Sequence, residues 1–176
     1  MKLQKLISKL EKHHKKKLDL SLGRTFNLLK KLGNPQDKLR NVITVVGTNA
    51  KASMCYSLKS ILNKAGHKTN LYTSPHLLSY TERYVINDKE INEEDLIELL
   101  TDVEKTLGDD NATLFEILTC AFLKHAENFK ENINIIEAGL FHQFDSTNVF
   151  KENLMTLIGV IHNDHFQWLE NKSIEG

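Results

Sequence analysis

The residues best placed to do chemistry lie together in Val42-Ile43-Thr44-Val45-Val46-Gly47-Thr48-Asn49-Ala50-Lys51-Ala52-Ser53. A β-branched run ends in Gly47-Thr48-Asn49, and Lys51 and Ser53 then open a helical pattern. Buried strand, tight turn and helix start, in that order, make a phosphate cradle. Backbone N–H groups of the turn and the helix start face the anion, the lysine adds a charge, and the hydroxyl can sit on Mg²⁺. Against the general pattern G-x-x-x-x-G-K-[ST], Val45 stands at the first glycine, Ala50 at the second, and Ser53 comes one residue late. On pattern alone two readings stay open, a nucleotide loop or an ordinary strand–turn–helix.

The elements that must position this loop follow from periodicity and punctuation. Leu3, Leu6, Ile7 and Leu10 predict an amphipathic helix over residues 2–17, its other face rich in lysine, including Lys15-Lys16-Lys17. A short helix around 24–32 stops at Gly33-Asn34-Pro35. After the loop, Met54, Leu58, Ile61, Leu62 and Ala65 recur at helical spacing and should pack on a sheet, with Gly66 as the C-terminal cap. Residues 68–73 read as a second strand, which makes a right-handed parallel β-α-β unit. Asn92-Glu93-Glu94-Asp95 opens a helix running to about Leu107, and Thr113-Leu114-Phe115-Glu116 opens a more apolar one through Ala126. Residues 133–137 and 157–161 read as two more parallel strands. The expected fold class is α/β: a mostly parallel sheet flanked by helices, like that of phosphate-loop NTPases. Residues 1–40 would be basic helices packing on a core formed by 41–176.

Composition narrows the class. The chain has 176 residues, 40% hydrophobic and 26% charged, which suits one globular domain with a sizeable core. No apolar run approaches the roughly 18 residues of a membrane span, and the lysine-rich start has no secretory h-region. Cys55 and Cys120 form no C-x-x-C pair and read as reduced thiols of a cytoplasmic protein. Net charge is zero, but residues 1–40 hold twelve Lys/Arg against three Asp/Glu, and the remainder eleven against twenty. A basic arm could meet nucleic acid. The absence of aromatic residues among the lysines favours a solvated helix face instead.

The loop resembles the Gly-Thr-Asn-Gly-Lys-Gly-Ser segment of the folylpolyglutamate synthase/dihydrofolate synthase family, which belongs to the Mur ligases. There the late serine is normal, whereas Ala50 and Ala52 replace glycines. Four further stretches are similar to that family. Thr73-Ser74-Pro75-His76-Leu77, followed by Glu82-Arg83-Tyr84-Val85-Ile86-Asn87, resembles a segment that opens a loop over the ATP and pterin sites. Thr113-Leu114-Phe115-Glu116 matches its Thr-x-Phe-Glu, and Asn163-Asp164-His165 its Asp-His after a strand. Glu137-Ala138-Gly139-Leu140-Phe141-His142-Gln143-Phe144-Asp145-Ser146-Thr147-Asn148 stands where the family has Glu-Val-Gly-Leu-Gly-Gly-Arg-Leu-Asp-Ala-Thr-Asn. Its ends match at Glu137, Gly139, Asp145, Thr147 and Asn148. In the middle two glycines and an arginine are replaced, which removes a charge and a bidentate donor.

The resemblance implies an ATP-dependent ligase. The γ-phosphoryl of ATP passes to a folate or dihydropteroate carboxylate, and the amine of glutamate attacks the acyl phosphate. It implies phosphate binding by Gly47, Thr48, Asn49, Ala50, Lys51, Ala52 and Ser53, and Mg²⁺ binding by Ser53, Ser74, Glu116 and His165. Lys51 and His165 would be the catalytic pair, with Ser74, Pro75, His76 and Arg83 on the folate side. Taken alone, Glu116 is a helix cap and Ser74-Pro75 a turn. His162, Asp164 and His165 could also suggest a transition metal. The family is much longer, adding a carbamylated lysine, further strands and a second Rossmann-like domain. The expectation is therefore a fragment or divergent form with an apolar sheet edge. That edge would pair with itself or a partner, or be covered by the basic helices. A non-catalytic binding or regulatory module is the alternative.

Overall fold

A computed structural model describes residues 2–13, 21–140 and 142–162. The β-branched run at Val42–Val46 forms β1, buried on both faces as a central parallel strand must be. After it come α3 (Lys51–Lys64), β2 (Thr69–Tyr72), β3 (Tyr84–Ile86), β4 (Lys89–Glu90), α4 (Glu93–Leu107), α5 (Leu114–Ala126), β5 (Ile133–Glu137) and β6 (Met155–Ile158); α1 (Lys2–His13) and α2 (Gly23–Lys31) precede it. The six strands lie in the order β4-β3-β2-β5-β1-β6. β1, β2, β5 and β6 run parallel, and β3 and β4 extend one side as an antiparallel hairpin.

That hairpin is absent from the expectation of four parallel strands. Its signal is the short Tyr84-Val85-Ile86 run followed by Asn87 and Asp88, whose φ values are 50° and 68°. Two left-handed residues between paired strands match the twist of a hairpin, and Asn and Asp tolerate them. The last strand also begins earlier than the expected 157–161. β1 pairs Ile43 through Val46 with Met155 through Ile158, so the ladder ends where β1 ends. The first helix is described to His13, and residues 14–17 of the expected 2–17 lie outside the described residues.

Helices α1, α2, α4 and α5 cover one face of the sheet. Leu3, Ile7 and Leu10 of α1, Leu28 and Leu29 of α2, and Leu96, Leu100 and Leu107 of α4 share one core with Phe122 of α5 and with Tyr72 and Tyr84 of the strands. On the other face α3 stands over a smaller core of Val45, Cys55, Leu71, Val85 and Ile135. Gly66, at φ 90°, ends α3, with His67 N–H bonded to Leu62 O at 3.0 Å. The basic helices therefore pack on α4 and α5 and do not cover the sheet edge. β6 is that edge, and Leu154, Ile158 and Val160 along it are 63%, 66% and 57% exposed.

Asp88 pins the hairpin to the start of β2. It accepts the Thr69 N–H and hydroxyl, both at 2.9 Å, and pairs with Lys68 at 2.8 Å. Burial works to raise its pKa, but the Lys68 and Thr69 contacts outweigh it and hold the carboxyl below its usual value. A depressed carboxylate stabilises the fold fully above the unfolded-state pKa near 3.8, and that stability is lost as pH falls through the lower folded value. Asp88→Asn should lower the melting temperature at neutral pH and flatten the acid limb below about pH 4. Thermal melts from pH 3 to 7 check this.

Candidate functional site

β1 delivers the loop at its C-terminal end, beside β6. Gly47 has φ 142°, and a Cβ there would sit 3.1 Å from the backbone of Gly159. A Cβ on Gly159 would in turn meet Met54 Sδ at 3.2 Å and Val46 O at 3.3 Å. Thr48 then fastens the loop to the segment beyond β6. Its N–H bonds Val160 O at 2.9 Å, while its hydroxyl donates to His162 O at 3.2 Å and accepts from His162 N–H at 3.0 Å. Sequence reasoning missed Gly159, although a glycine inside an apolar run marks close backbone approach.

Ala50 precedes α3 at φ 63°, ψ 6°, and no side chain caps the helix. The first helical bond is Met54 N–H to Ala50 O at 2.9 Å, so the N–H groups of Lys51, Ala52 and Ser53 precede the ladder. Ala52 and Ser53 are exposed. The Lys51 ammonium folds back on the loop, donating to Gly47 O at 2.9 Å and Thr48 O at 3.4 Å. Asn49 is exposed at the tip of the turn. The arrangement presents backbone donors and a cation around a turn open to solvent, which suits a phosphate.

Glu137 closes β5 and lies level with Val45 of β1. It is 3% exposed and accepts the Ser74 N–H at 2.9 Å. Burial raises its pKa, opposed by the Ser74 bond and by the charges of Lys51 and Arg83. The same field reaches Cys55, whose thiol is pushed up to about 12 by burial and the Glu137 charge against the pull of Lys51. The buried carboxylate and the Ser74 backbone thus meet at the C-terminal end of the parallel strands, within the field of Lys51, where open α/β sheets bind ligands.

Glu116, expected to hold a metal, sits among the protein's own donors. It completes a capping box with Thr113, accepting the Thr113 N–H at 2.6 Å and giving its own N–H to Thr113 Oγ1 at 3.2 Å. Arg24 of α2 grips the same carboxylate, through Nε at 3.2 and 3.1 Å and Nη2 at 3.0 Å. The side chains are 19% and 8% exposed. This partner was invisible in sequence, because it lies 92 residues away.

The segment after β2 is held at its base. The Ser74–Pro75 bond is cis. Glu82 gathers the N–H groups of Leu77, Leu78 and Ser79, each at 2.8 Å, and these bonds lower its pKa. Arg83 is 9% exposed and gives Nε–H to His76 Nδ1 at 2.9 Å. Its guanidinium lies 5.1 Å from the Tyr80 ring, which is 4.2 Å from that of His76. Burial and the Arg83 charge keep the His76 pKa below its usual value, so the ring stays a neutral acceptor. Leu77 and Leu78 stand out almost fully exposed.

Near β5, Gly139 has no room for a side chain: a Cβ would lie 2.6 Å from Asp145 Oδ2 and 2.7 Å from the Phe115 ring. Asp145 accepts the N–H groups of Leu140 at 2.7 Å and Thr147 at 2.9 Å, and the Thr147 hydroxyl at 2.6 Å. Asn148 donates to Gln143 O at 3.3 Å. These motif residues therefore shape the turn. His142 is half-buried, its pKa is lowered by burial, and its Nδ1 has no partner. Phe141, Asp164 and His165 lie outside the described residues. Among the described residues no three His, Cys, Asp or Glu side chains could hold a metal ion together.

The mostly parallel sheet, with its loop between β1 and α3 and its carboxylate on β5, places the chain among Mur-ligase-like α/β proteins. Relatives and solved structures name the branch. The dihydrofolate synthase/folylpolyglutamate synthase of Bacillus subtilis is 38% identical over 157 residues, covering 85% of this chain and 36% of its own length. That of Escherichia coli is 35% identical over 163 residues, covering 93% and 38%. E. coli FolC in complex with DHPP and ADP superposes with a TM-score of 0.87 at 35% identity, covering 95% of this chain and 40% of that one. The bifunctional enzyme of Yersinia pestis with AMPPNP and Mn gives 0.85 at 33%, covering 96% and 40%. No protein-family model matches. The chain belongs to the dihydrofolate synthase/folylpolyglutamate synthase family, and it spans under two fifths of the length of these curated relatives.

Alanine in the left-handed region costs about 1–2 kcal/mol, and glycine gives back about 0.5–1 kcal/mol through its freer unfolded chain. Ala50→Gly should therefore stabilise the protein by roughly 0.5–1 kcal/mol. Urea unfolding would show a raised midpoint with an unchanged slope.

Proposed function

We propose that this chain forms the phosphate- and metal-holding part of an ATP-dependent ligase that joins glutamate to a folate or dihydropteroate carboxylate. The observation that carries this reading is the buried Glu137, which accepts the Ser74 N–H at 2.9 Å at the same strand ends where Lys51 donates to the Gly47 and Thr48 carbonyls. Lys51 leaves the Gly47 and Thr48 carbonyls to meet the β- and γ-phosphates, and the N–H groups of residues 50–53 take the remaining oxygens. The donors at hand are hard oxygens, which suit Mg²⁺. Ser53, Ser74, Glu137 and His165 would hold it; Glu137 takes the place first expected for Glu116, whose carboxylate is committed to Arg24. When bound, the cation neutralises charge that develops on the transferring phosphoryl group. Pro75, His76 and Arg83 shape the folate side, with Arg83 held by His76 and Tyr80.

The substrates proposed are small molecules: ATP, a folate or dihydropteroate, and glutamate. Nucleic acid and membrane are not part of the reading, and no described helix is long and apolar enough to cross a membrane. A cytoplasmic setting fits the two free, buried cysteines. The exposed β6 edge supports pairing with a second copy or a partner chain. A second reading, a binding or regulatory module with little turnover, is favoured by Ala50. Its methyl group is fixed at a strained position in the turn that must admit phosphate.

Calorimetric titration of Mg-ATP tests the site. Binding is expected for the wild type and lost in Lys51→Ala. Glu137→Gln should abolish the dependence on the divalent ion. Glu116→Gln should leave nucleotide affinity within a few-fold but cost about 3 kcal/mol of stability, because the buried charge pair with Arg24 is broken. If Glu116→Gln rather than Glu137→Gln removes metal dependence, the assignment is reversed. No binding by the wild type or by Ala50→Gly would overturn the ligase reading.

A further inference from the structure

The contact between Ser74 and Glu137 joins the exits of two neighbouring parallel strands, and neither residue fixes it alone. Tyr72 ends β2 level with Ile136 of β5, so Thr73 and Glu137 leave the sheet side by side. Side chains alternate along β5: Ile135 belongs to the core under α3, and Ile136 to the core under α5. Glu137 follows Ile135 onto the α3 face, where its charge acts on Cys55. Behind it, on the other face, α5 grips both exits. The Phe115 ring takes the space beside Gly139, where a Cβ would come within 2.7 Å of its Cζ and 2.9 Å of its Cε1. The same ring packs on Tyr72, with centroids 6.4 Å apart and planes tilted by 35°. Thr119 stands one turn further along the helix, on the same side. Its hydroxyl meets the Tyr72 hydroxyl at 3.2 Å and accepts that of Ser146 at 3.5 Å, and all three side chains are buried. Each of the two α5 residues thus touches both the end of β2 and the segment that follows β5. Their mount is stiff, because Thr113 and Glu116 cap this end of α5 and Arg24 holds Glu116. Ser146 stands where the family has alanine, so its hydroxyl is this chain's own addition.

We infer that Phe115 and Thr119 are positioning residues for the cation site: from the face opposite the carboxylate they hold the Ser74 N–H against Glu137. The inference rests on the ligase reading and concerns how its cation site keeps its shape. A hydrogen bond weakens steeply as its donor and acceptor turn apart. The Ser74 N–H makes the one hydrogen bond to the Glu137 carboxylate among the described residues, so the spacing of the two exits sets how that carboxylate is aimed. A close-packed ring resists compression, and Phe115 acts as a spacer between Tyr72 and Gly139. The hydroxyls of Tyr72, Thr119 and Ser146 tie the same two segments by directional bonds. Spacer and tie together let the exits neither close nor spread. Loss of the ring opens a hole into which they relax, and loss of the Thr119 hydroxyl leaves two buried hydroxyls without that partner. Groups that orient a metal ligand in this way are commonly worth roughly 10–100-fold in metal affinity.

Two measurements on the full chain test the positioning role, one of them without any ligand. Amide hydrogen exchange at Ser74 reports its bond to Glu137 directly, and electron paramagnetic resonance reads the affinity of Mn²⁺ in the presence of ATP. Phe115→Ala should speed exchange at Ser74 and weaken Mn²⁺ about tenfold, with metal-free ATP affinity unchanged. Thr119→Val should move both readouts the same way by less, and Thr119→Ser, which keeps the hydroxyl, should restore them. Glu116→Gln controls for lost stability: it weakens the same end of α5 without altering a side chain that touches Tyr72 or Gly139. Its Ser74 exchange and Mn²⁺ affinity should stay close to those of the wild type. Phe115→Ala values equal to the wild type, or shifted no further than in Glu116→Gln, would overturn the proposal. So would faster Ser74 exchange with unchanged Mn²⁺ affinity. If the wild type binds Mn²⁺ with ATP and the variants match it, the positioning role alone fails. If the wild type takes no Mn²⁺ with ATP, the ligase reading falls first and the role falls with it.

Discussion

Close contact between two backbones, at Gly47 and Gly159, governs the geometry of everything around the loop. Parallel strands place their ends on one side, and β1 and β6 approach there so closely that a methyl group at either glycine would press on its neighbours, at 3.1 Å for Gly47 and 3.2 Å for Gly159. Thr48 then bonds both ways with His162, so the turn and the chain beyond β6 behave as a single brace. A turn fixed on both flanks keeps its N–H groups aimed outward without help from a bound ligand. Fixing donors before an anion arrives removes the ordering cost that flexible groups incur on binding. The strain at Ala50 is tolerated in the same frame, because α3 and β1 determine the path on either side of it.

Electrostatics divides two buried carboxylates that look alike in sequence. Glu116 has a guanidinium, a backbone N–H and a helix N-terminus for company, and its charge is balanced inside the protein. Glu137 has a single backbone donor and the more distant fields of Lys51 and Arg83, and burial pushes its pKa upward. A carboxylate whose charge is incompletely compensated is poised to welcome a cation, whereas one already paired is not. The two carboxylates thus stand in different fields, one paired with a cation of the protein and one not.

The two faces of the sheet are unequally built. Four helices bury one face, while α3 alone serves the other, and β6 leaves apolar side chains in water at the margin. Backbone groups on such an edge are open to a further strand. The antiparallel β3–β4 hairpin finishes the opposite margin, where the short Lys89-Glu90 strand is exposed and charged. Charge at an edge strand discourages pairing with other chains, so the β4 margin is guarded.

Local chemistry in the sequence determined the strand–turn–helix at the loop, the capped starts of α4 and α5, the stop at Gly33-Asn34-Pro35 and the parallel order of its strongest strands. Each is governed by side-chain periodicity or by backbone restriction within a few residues, and such effects need no distant partner. The β3–β4 hairpin escaped the sequence reading because its strands are short and its turn lacks glycine. Tertiary structure alone decided three things: that Arg24 pairs with Glu116, that Glu137 takes the Ser74 N–H within the field of Lys51, and that Gly159 lies against Gly47. All three join residues far apart in the chain, and burial makes charge and contact depend on which distant groups fold into reach. The spacing of residues along a sequence carries no record of that field.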